Sequence, residues 1–284
     1  MRYQILTDSC CDFTAAQYEE NNVGHASLTV TYNGESHTNF SEPAAVKAFY
    51  DQLRSGVTAT TSAANPDDWA QLMQPILARG EDILILAFSS GLSTTYQSAV
   101  IAAKELQEEY PQRTIHVIDT LCAALGQGLL LWHACRKRDE GMELNALAAW
   151  VENNKRSICH WVTVDDLSHL KRGGRISTTT AIVGTMLNIK PIIHVDNDGH
   201  LINTTKVRGR KGAMEYLVKK FTETATDRET VFIGHGDCPE DAADLEAMLK
   251  EQGVKTVVTG YVGPVIGAHT GPGVLVVFFL GTHR

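Results

Sequence analysis

The chain has 284 residues, of which 43% are hydrophobic and 20% charged, a balance typical of a globular protein with a large buried core. Lys and Arg total 25 against 33 Asp and Glu, and the formal net charge of -8 disfavours nucleic acid as the main partner. Neither a signal peptide nor a run of about 20 apolar residues that would span a bilayer is present in the sequence, so we expect a cytoplasmic protein.

The first half of the chain alternates strand and helix patterns. The continuous apolar run Asp82–Phe88 has the length and composition of a strand buried on both faces. The other predicted elements are strands over 3–6, 26–32 and 114–118 and helices over 94–109 and 124–138. Strands that alternate with helices in this way predict right-handed crossovers and a parallel sheet.

The second half begins near Cys159, and the length of the chain favours two domains, 1–158 and 159–284. Its clearest signal is a pair of β runs, 191–195 and 200–207, around the turn-forming cluster Asp-Asn-Asp-Gly. The remaining elements are strands over 230–233, 254–258 and 274–280 and helices over 211–222 and 240–252. This order predicts a mixed sheet covered by helices.

Two hydroxyl-rich segments adjoin predicted helices. Ser93 follows the strand Asp82–Phe88 at the start of a helix, where unpaired amides favour an anion, although its hydroxyl could serve only as the helix N-cap. The second segment, 58–62, reads as a loop that enters a helix capped by Asn65 and begun by Pro66.

The segment 263–273 contains four glycines and is predicted to be an irregular loop between two strands. Its one titratable side chain, His269, is either structural or part of a site. In Leu170–Ser177, where three cations flank a glycine pair, Arg175 precedes an apolar run and is suited to orienting a carboxylate, while a solvated turn is the alternative.

Motifs of several enzyme classes are absent from the sequence: HExxH, paired CxxC, the P-loop and GxGxxG. We therefore expect no metal site and no cofactor. The main enzymatic alternative is a serine hydrolase of lipid esters with Ser93 as nucleophile and His269 as base, although the GxSxG elbow is missing.

In their order along the chain, seven segments resemble the DegV family: ILTDSCCD, TTSAANP, FSSGLSTTYQSA, VIDTLCAALGQG, DLSHLKRGGRIS, MLNIKPII with KVRGRKGA, and GPVIGAHTGPG. The resemblance implies a two-domain α/β fold, with an N-terminal three-layer α/β/α domain built on a parallel sheet and a C-terminal α/β domain with a mixed sheet. It also implies that a long-chain fatty acid lies in a tunnel between the domains.

Characterised members of that family are the acyl-carrying subunits of bacterial fatty acid kinase. A separate subunit, similar to dihydroxyacetone kinases, phosphorylates the bound carboxylate with ATP, and the acyl phosphate enters phospholipid synthesis. The resemblance therefore implies a carrier without turnover of its own. The residues that it implies as ligands of the carboxylate are Thr61, Ser62, Ser93, Thr94, His269 and, in support, Arg175.

Two positions depart from the usual pattern of the family. Thr94 stands where glycine usually follows the second serine of SGLS, and Ala63 stands where glutamine often follows the TS pair. The basic run 206–211 is either a solvated turn or a contact with the kinase or with anionic lipid head groups, through Lys206, Arg208 and Arg210.

Overall fold

A computed structural model describes residues 2–165, 167–176 and 188–284 of the chain. Ser177 and residues 186–187, which belong to two of the motifs quoted above, lie outside this range. Within it, no helix combines the length and the apolar character needed to cross a membrane.

The first half is organised around a four-stranded parallel sheet with the order β2-β1-β6-β7. The bounds of its strands are β1 Tyr3–Asp8, β2 Val23–Ala26, β6 Asp82–Ala87 and β7 Ile115–Asp119. The helices of this half are α1 Ala15–Glu20, α2 Pro43–Arg54, α3 Pro66–Ala78, α4 Thr95–Glu109, α5 Leu125–Asp139 and α6 Leu144–Asn154.

Helices cover both faces of this parallel sheet. Successive side chains of β6 point to opposite faces: Leu84 packs in one hydrophobic cluster with residues of α5 and α6, and Ile83 packs in another with residues of α3 and α4. The parallel sheet confirms the prediction from the alternating patterns, and the α/β/α layers agree with what the family resemblance implies. The capping box that Asn65 and Asp68 form at the start of α3 confirms Asn65 as the cap of that helix.

A small antiparallel sheet, which the sequence analysis did not anticipate, joins β3 Thr29–Tyr32, β4 Glu35–Thr38 and β5 Thr60–Ser62 in the order β4-β3-β5. The prediction of a loop over 58–62 was therefore wrong for its last three residues. Three threonine and serine residues carry a weak strand signal on their own, and pairing with β3 decides their conformation.

The second half contains a six-stranded mixed sheet with the order β10-β9-β8-β13-β11-β12, in which the strands β11 and β12 are parallel and the other pairs antiparallel. The bounds are β8 Ile158–Thr163, β9 Ile189–Val195, β10 Leu201–Arg208, β11 Thr230–His235, β12 Thr256–Tyr261 and β13 Leu275–Leu280. The helices are α7 Ser168–Arg172, α8 Gly209–Thr224, α9 Pro239–Glu251 and α10 Pro264–Thr270.

The hairpin β9–β10 and the strand β13 confirm the predictions made from the sequence, and β13 lies in the interior of the sheet. Residues of α8 and α9 pack on one face of this sheet, and α5 contacts its other face, so α5 lies between the two sheets. The predicted domain boundary coincides with the start of β8 and stays a prediction, because one hydrophobic cluster contains residues from both sides of it.

Candidate functional site

A cavity of about 420 Å³ lies between the two halves of the molecule. Most of its lining is apolar and comes from both sides of residue 158, with Leu28 and Phe88 from the first half and Val162, Ile193 and Val276 from the second. The strands of the parallel sheet end at this cavity, because Phe88 directly follows β6.

Thr61 lies on the small sheet at the polar part of the cavity. Its Oγ1 is 2.7 Å from Nε2 of His269, a hydrogen bond that joins residues 208 positions apart in the chain. Side chains alternate along a strand, and the neighbouring Ser62 of β5 is exposed and is not part of the cavity lining. The geometry therefore gives no support to Ser62 as a ligand.

His269 lies on α10, which corrects the prediction that 263–273 is an irregular loop. Pro264 at the first turn has a φ suited to a helix start, and Gly267 permits close packing, since a Cβ there would lie 2.6 Å from the hydroxyl of Tyr50 on α2. The glycines that end this segment, Gly271 and Gly273, have φ of 78° and 77°.

Electrostatics keep the imidazole of His269 neutral near pH 7. Burial, together with the nearby guanidinium groups of Arg175 and Arg172, lowers its pKa from 6.5 to about 4. The side chain is therefore a neutral hydrogen-bonding group inside a positively charged environment, which suits the recognition of an anion.

Gly173, at the end of α7, lies directly against this imidazole. A Cβ at that position would come within 2.2 Å of Nδ1 of His269. In the sequence, Gly173 and Gly174 stand out only as neighbours of three cations. Gly173 must lack a side chain because it contacts α10, which is about a hundred positions away in the chain.

Arg175 connects the histidine to the start of α4. Its Nε donates to the carbonyl of Leu92 at 3.1 Å, and its Nη1 donates to the carbonyl of Gly173. These two bonds to backbone fix the guanidinium beside the cavity, which it lines. The alternative of a solvated turn is not what the structure shows for this residue.

Ser93 and Thr94 both line the cavity at the start of α4. The N-cap of that helix is Thr94, one residue later than predicted, and its side chain makes no capping bond. The Ser93 Oγ is 2.9 Å from Oγ1 of Thr95 and accepts a hydrogen bond from the Thr95 amide at 3.2 Å. Thr95, which is buried and was not predicted as a site residue, thus orients the serine.

Five of the polar side chains that line the cavity form a group that we call the head-group cradle. It consists of Thr61, Ser93, Thr94, Arg175 and His269. All five are among the residues that the family resemblance implies as ligands. They lie on four separate segments of the chain, and the cavity that they share is otherwise mainly apolar.

His160 of β8 also lines the cavity and was missed, although a histidine within the apolar run Ile158–Thr163 was a visible signal. Its Nε2 accepts from the Ala123 amide at 3.2 Å, and its Nδ1 is 2.9 Å from the Ile158 carbonyl. Burial lowers its pKa to about 3. The ring packs edge-on against Phe278, so it belongs to the wall of the cavity.

The basic run 206–211 is not a turn. Lys206 and Arg208 are exposed on the edge strand β10, and Arg210 lies in the first turn of α8. The Nε of Arg210 is 2.9 Å from Oδ2 of Asp241, an ion pair that holds α8 against α9. Of the three predicted contact residues, Lys206 and Arg208 thus present charge to solvent.

The geometry does not assemble a hydrolase. The Nε2 of His269 pairs with Thr61, and the Ser93 hydroxyl pairs with Thr95, so neither group activates the other in the way that a nucleophile and its base require. Across residues 2–165, 167–176 and 188–284, no cluster of three or more His, Cys, Asp or Glu side chains could hold a metal ion.

Comparison with known proteins places this geometry in a family. A family model described as "Uncharacterised protein, DegV family" matches residues 2–282. The DegV domain-containing protein CPE0026 of Clostridium perfringens is 41% identical over 284 residues, covering 99% of this chain and 98% of that protein.

Two solved structures of similar fold are described by their ligands. A DegV family protein from Thermus thermophilus, described as fatty acid binding, superposes with a TM-score of 0.88 at 29% identity, covering 99% of this chain and all of that one. A DegV lipid binding protein from Thermotoga maritima superposes with a TM-score of 0.87 at 27% identity over the whole of both chains. The match along nearly the whole sequence and fold shows that this chain belongs to the DegV family.

Proposed function

We propose that this protein binds one long-chain fatty acid, with the acyl chain in the cavity and the carboxylate in the head-group cradle. The observation that carries the proposal is the combination of a mainly apolar cavity of about 420 Å³ with polar lining residues that include the hydrogen-bonded pair Thr61 and His269. The fatty acids bound by related proteins of the same fold support this choice of ligand.

The apolar lining provides most of the binding free energy. A chain of roughly sixteen carbons, at about 0.8 kcal/mol for each buried CH₂, contributes on the order of 12 kcal/mol before ordering costs. Such a ligand dissociates rarely without help. The protein is thus suited to carry its ligand and to hand it on to another macromolecule.

The cradle makes the burial of a carboxylate possible. A carboxylate taken out of water needs hydrogen-bond donors or a nearby positive charge, since otherwise it becomes protonated. The hydroxyls of Thr61 and Ser93 are the donors, the Nε2 of His269 orients the Thr61 hydroxyl, and Arg175 supplies the charge. Thr94 lines the cavity and is also exposed, so the polar cluster lies at the mouth, where a partner can reach it.

We further propose that a separate ATP-dependent kinase, similar to dihydroxyacetone kinases, phosphorylates the bound carboxylate, and that the acyl phosphate is used in phospholipid synthesis. The support for this step is the family resemblance together with the exposed position of Thr94. In this scheme the protein needs no cofactor of its own, acts in the cytoplasm and shows no turnover without the kinase. Lys206, Arg208 and Arg210 are the candidate contacts with the kinase or with a membrane surface during transfer.

The binding proposal is tested by native mass spectrometry of the purified protein, followed by extraction and identification of the ligand. We expect one long-chain fatty acid for each chain, and loss of that mass in the variant Val276→Trp, which fills the cavity. Protein that carries no lipid and that binds neither palmitate nor oleate contradicts the proposal. Covalent labelling of Ser93 by a fluorophosphonate would instead favour the hydrolase.

The contact proposal is tested by charge reversal. The double variant Lys206→Glu/Arg208→Glu keeps the ion pair of Arg210 intact, so it changes surface charge without breaking a packing contact. We expect unchanged palmitate affinity and slower palmitate exchange with anionic vesicles or slower acyl-phosphate formation with the kinase. If both rates are unchanged, this edge of the sheet is not the contact surface.

A further inference from the structure

Residues 8–12, which we call the acidic turn, form the part of the ILTDSCCD motif that the proposed function leaves unexplained. The turn follows β1, and its middle residues Ser9–Cys11 form a short 3-10 helix. All five residues are buried, and none of them lines the cavity. Their contacts nevertheless reach three separate segments that carry the cradle.

The first contact is with the strand that leads to Ser93. The Oδ2 of Asp8 accepts a hydrogen bond from the amide of Phe88 at 2.7 Å, and its Oδ1 accepts one from the amide of Cys10 at 3.0 Å. Phe88 lines the cavity and directly follows β6, five residues before Ser93. The carboxylate of Asp8 therefore fixes the point at which the chain leaves the parallel sheet toward the cradle.

The second contact is with the strand that positions Thr61. The Oγ of Ser9 accepts a hydrogen bond from the amide of Leu28 at 3.0 Å, and Leu28 lines the cavity. The next residue begins β3, in which Val30 pairs with Thr61 of β5. The hydrogen bond to Ser9 thus fixes the position of the small sheet relative to the parallel sheet.

The third contact reaches the helix of His269 through one intermediate side chain. The Nδ2 of Asn39 donates to the Ser9 carbonyl at 2.8 Å, and the Oδ1 of Asn39 accepts from the amide of Val265 at 3.1 Å. Val265 lines the cavity and lies one helical turn before His269 on α10. Asp12 lies close to the start of the same helix, since a Cβ at Gly263 would be only 2.5 Å from its Oδ1.

We infer that the acidic turn is the positioning element of the head-group cradle, and that Asp8 and Ser9 are positioning residues that set the relative places of Ser93, Thr61 and His269. The inference rests on the proposed fatty acid binding. Its physical basis is that polar groups of a site must be held within about 0.5 Å of their productive geometry by a supporting shell. In this chain, the amides of Leu28 and Phe88 are bonded directly to that turn, and the amide of Val265 is bonded to it through Asn39.

The test is the variant Ser9→Ala, which leaves the Leu28 amide without its acceptor while the cavity lining and the cradle side chains stay the same. We expect palmitate affinity to fall about tenfold, in line with the cost of one unsatisfied buried donor. We also expect the imidazole nitrogen signals of His269 in NMR spectra to shift, because the Thr61–His269 bond lengthens. On a Thr61→Val background, Ser9→Ala should change affinity less than twofold.

A matched control separates positioning from general stability. Leu245 of α9 is fully buried in the hydrophobic cluster outside the six-stranded sheet, and Leu245→Ala should lower the melting temperature at least as much as Ser9→Ala while palmitate affinity stays within twofold of wild type. Equal losses of affinity in the two variants, or full additivity of Ser9→Ala with Thr61→Val, overturn the inference.

If Ser9→Ala does not fold, Asn39→Ala tests the third contact at a half-buried position, with an expected loss of affinity of about fivefold, as one neutral hydrogen bond is worth about 1 kcal/mol. Unchanged affinity in that variant counts against the inference. Wild-type protein that binds no palmitate contradicts the proposed function itself, whereas wild-type binding that Ser9→Ala and Asn39→Ala leave unaltered contradicts the positioning role alone.

Discussion

Two neutral histidines line the same cavity, and their surroundings differ in kind. His160 has both ring nitrogens bonded to backbone groups, at Ala123 and Ile158, and its ring packs on Phe278. His269 has one nitrogen bonded to a threonine hydroxyl and lies beside two guanidinium groups. The comparison teaches that a lowered pKa alone does not mark a binding group. What distinguishes the two histidines is whether the hydrogen-bonding capacity is already used by backbone.

The largest effect is expected from His160→Ala. The substitution leaves the Ala123 amide without its acceptor and opens a void against Phe278, so the free energy of unfolding should fall by about 3 kcal/mol. Urea unfolding measures this change. The folded His160→Ala variant should still bind the carboxylate of palmitate. A complete loss of carboxylate binding would show that the two histidines do not differ in role.

The next largest effect, on binding more than on stability, is expected from Gly173→Ala. Its Cβ would come within 2.2 Å of Nδ1 of His269, so the imidazole must rotate away from Thr61. Palmitate affinity measured by calorimetry should fall about 100-fold, which corresponds to about 2.7 kcal/mol.

The matched control for that variant is Gly212→Ala in α8, where a Cβ would meet no atom within 4 Å. It should leave affinity unchanged and slightly stabilise the helix. Unaltered palmitate binding in Gly173→Ala would show that His269 does not contribute to the cradle.

An intermediate effect concerns pH. The unfolded chain binds a proton at His269 near pH 6.5, whereas the folded chain does so only near pH 4, so the unfolded state binds more protons between these values and stability falls as the pH falls through this window. His269→Gln should reduce the loss of unfolding free energy between pH 7 and pH 4 by about 2 kcal/mol.

The remaining acid sensitivity should persist in His269→Gln, because burial also lowers the pKa of His133 to about 4 and that of His160 to about 3. Urea unfolding at several pH values measures both contributions. If the unfolding free energy of His269→Gln falls between pH 7 and pH 4 as much as that of wild type, His269 is not the neutral buried group described here.

The smallest of these effects is expected from Thr61→Val, which keeps the volume of the side chain and removes its hydroxyl. The Nε2 of His269 loses its partner at 2.7 Å, and palmitate affinity should fall about tenfold. Ser62→Ala is the matched control on the exposed face of the same strand and should bind as wild type does. A loss in Ser62→Ala as large as that in Thr61→Val would show that the strand presents both residues to the ligand.

The sequence by itself determined the elements with strong local signals and the identity of the candidate site residues. The apolar run of β6 and that of β13 are long enough to predict buried strands, and the Asn65 cap identified the start of α3. The motif resemblance identified all five members of the cradle, because each short segment can be recognised by its own residue types and spacing even when the segments are far apart in the chain.

The tertiary structure alone decided which of these residues meet. The helix α10 forms in spite of its glycines because Tyr50 packs against Gly267, and the strand β5 forms because β3 pairs with it. The alternation of that strand then points Thr61 toward His269 and Ser62 toward solvent. Such outcomes depend on contacts between residues far apart in the chain, 208 positions in the case of Thr61 and His269, and local propensity carries no information about them.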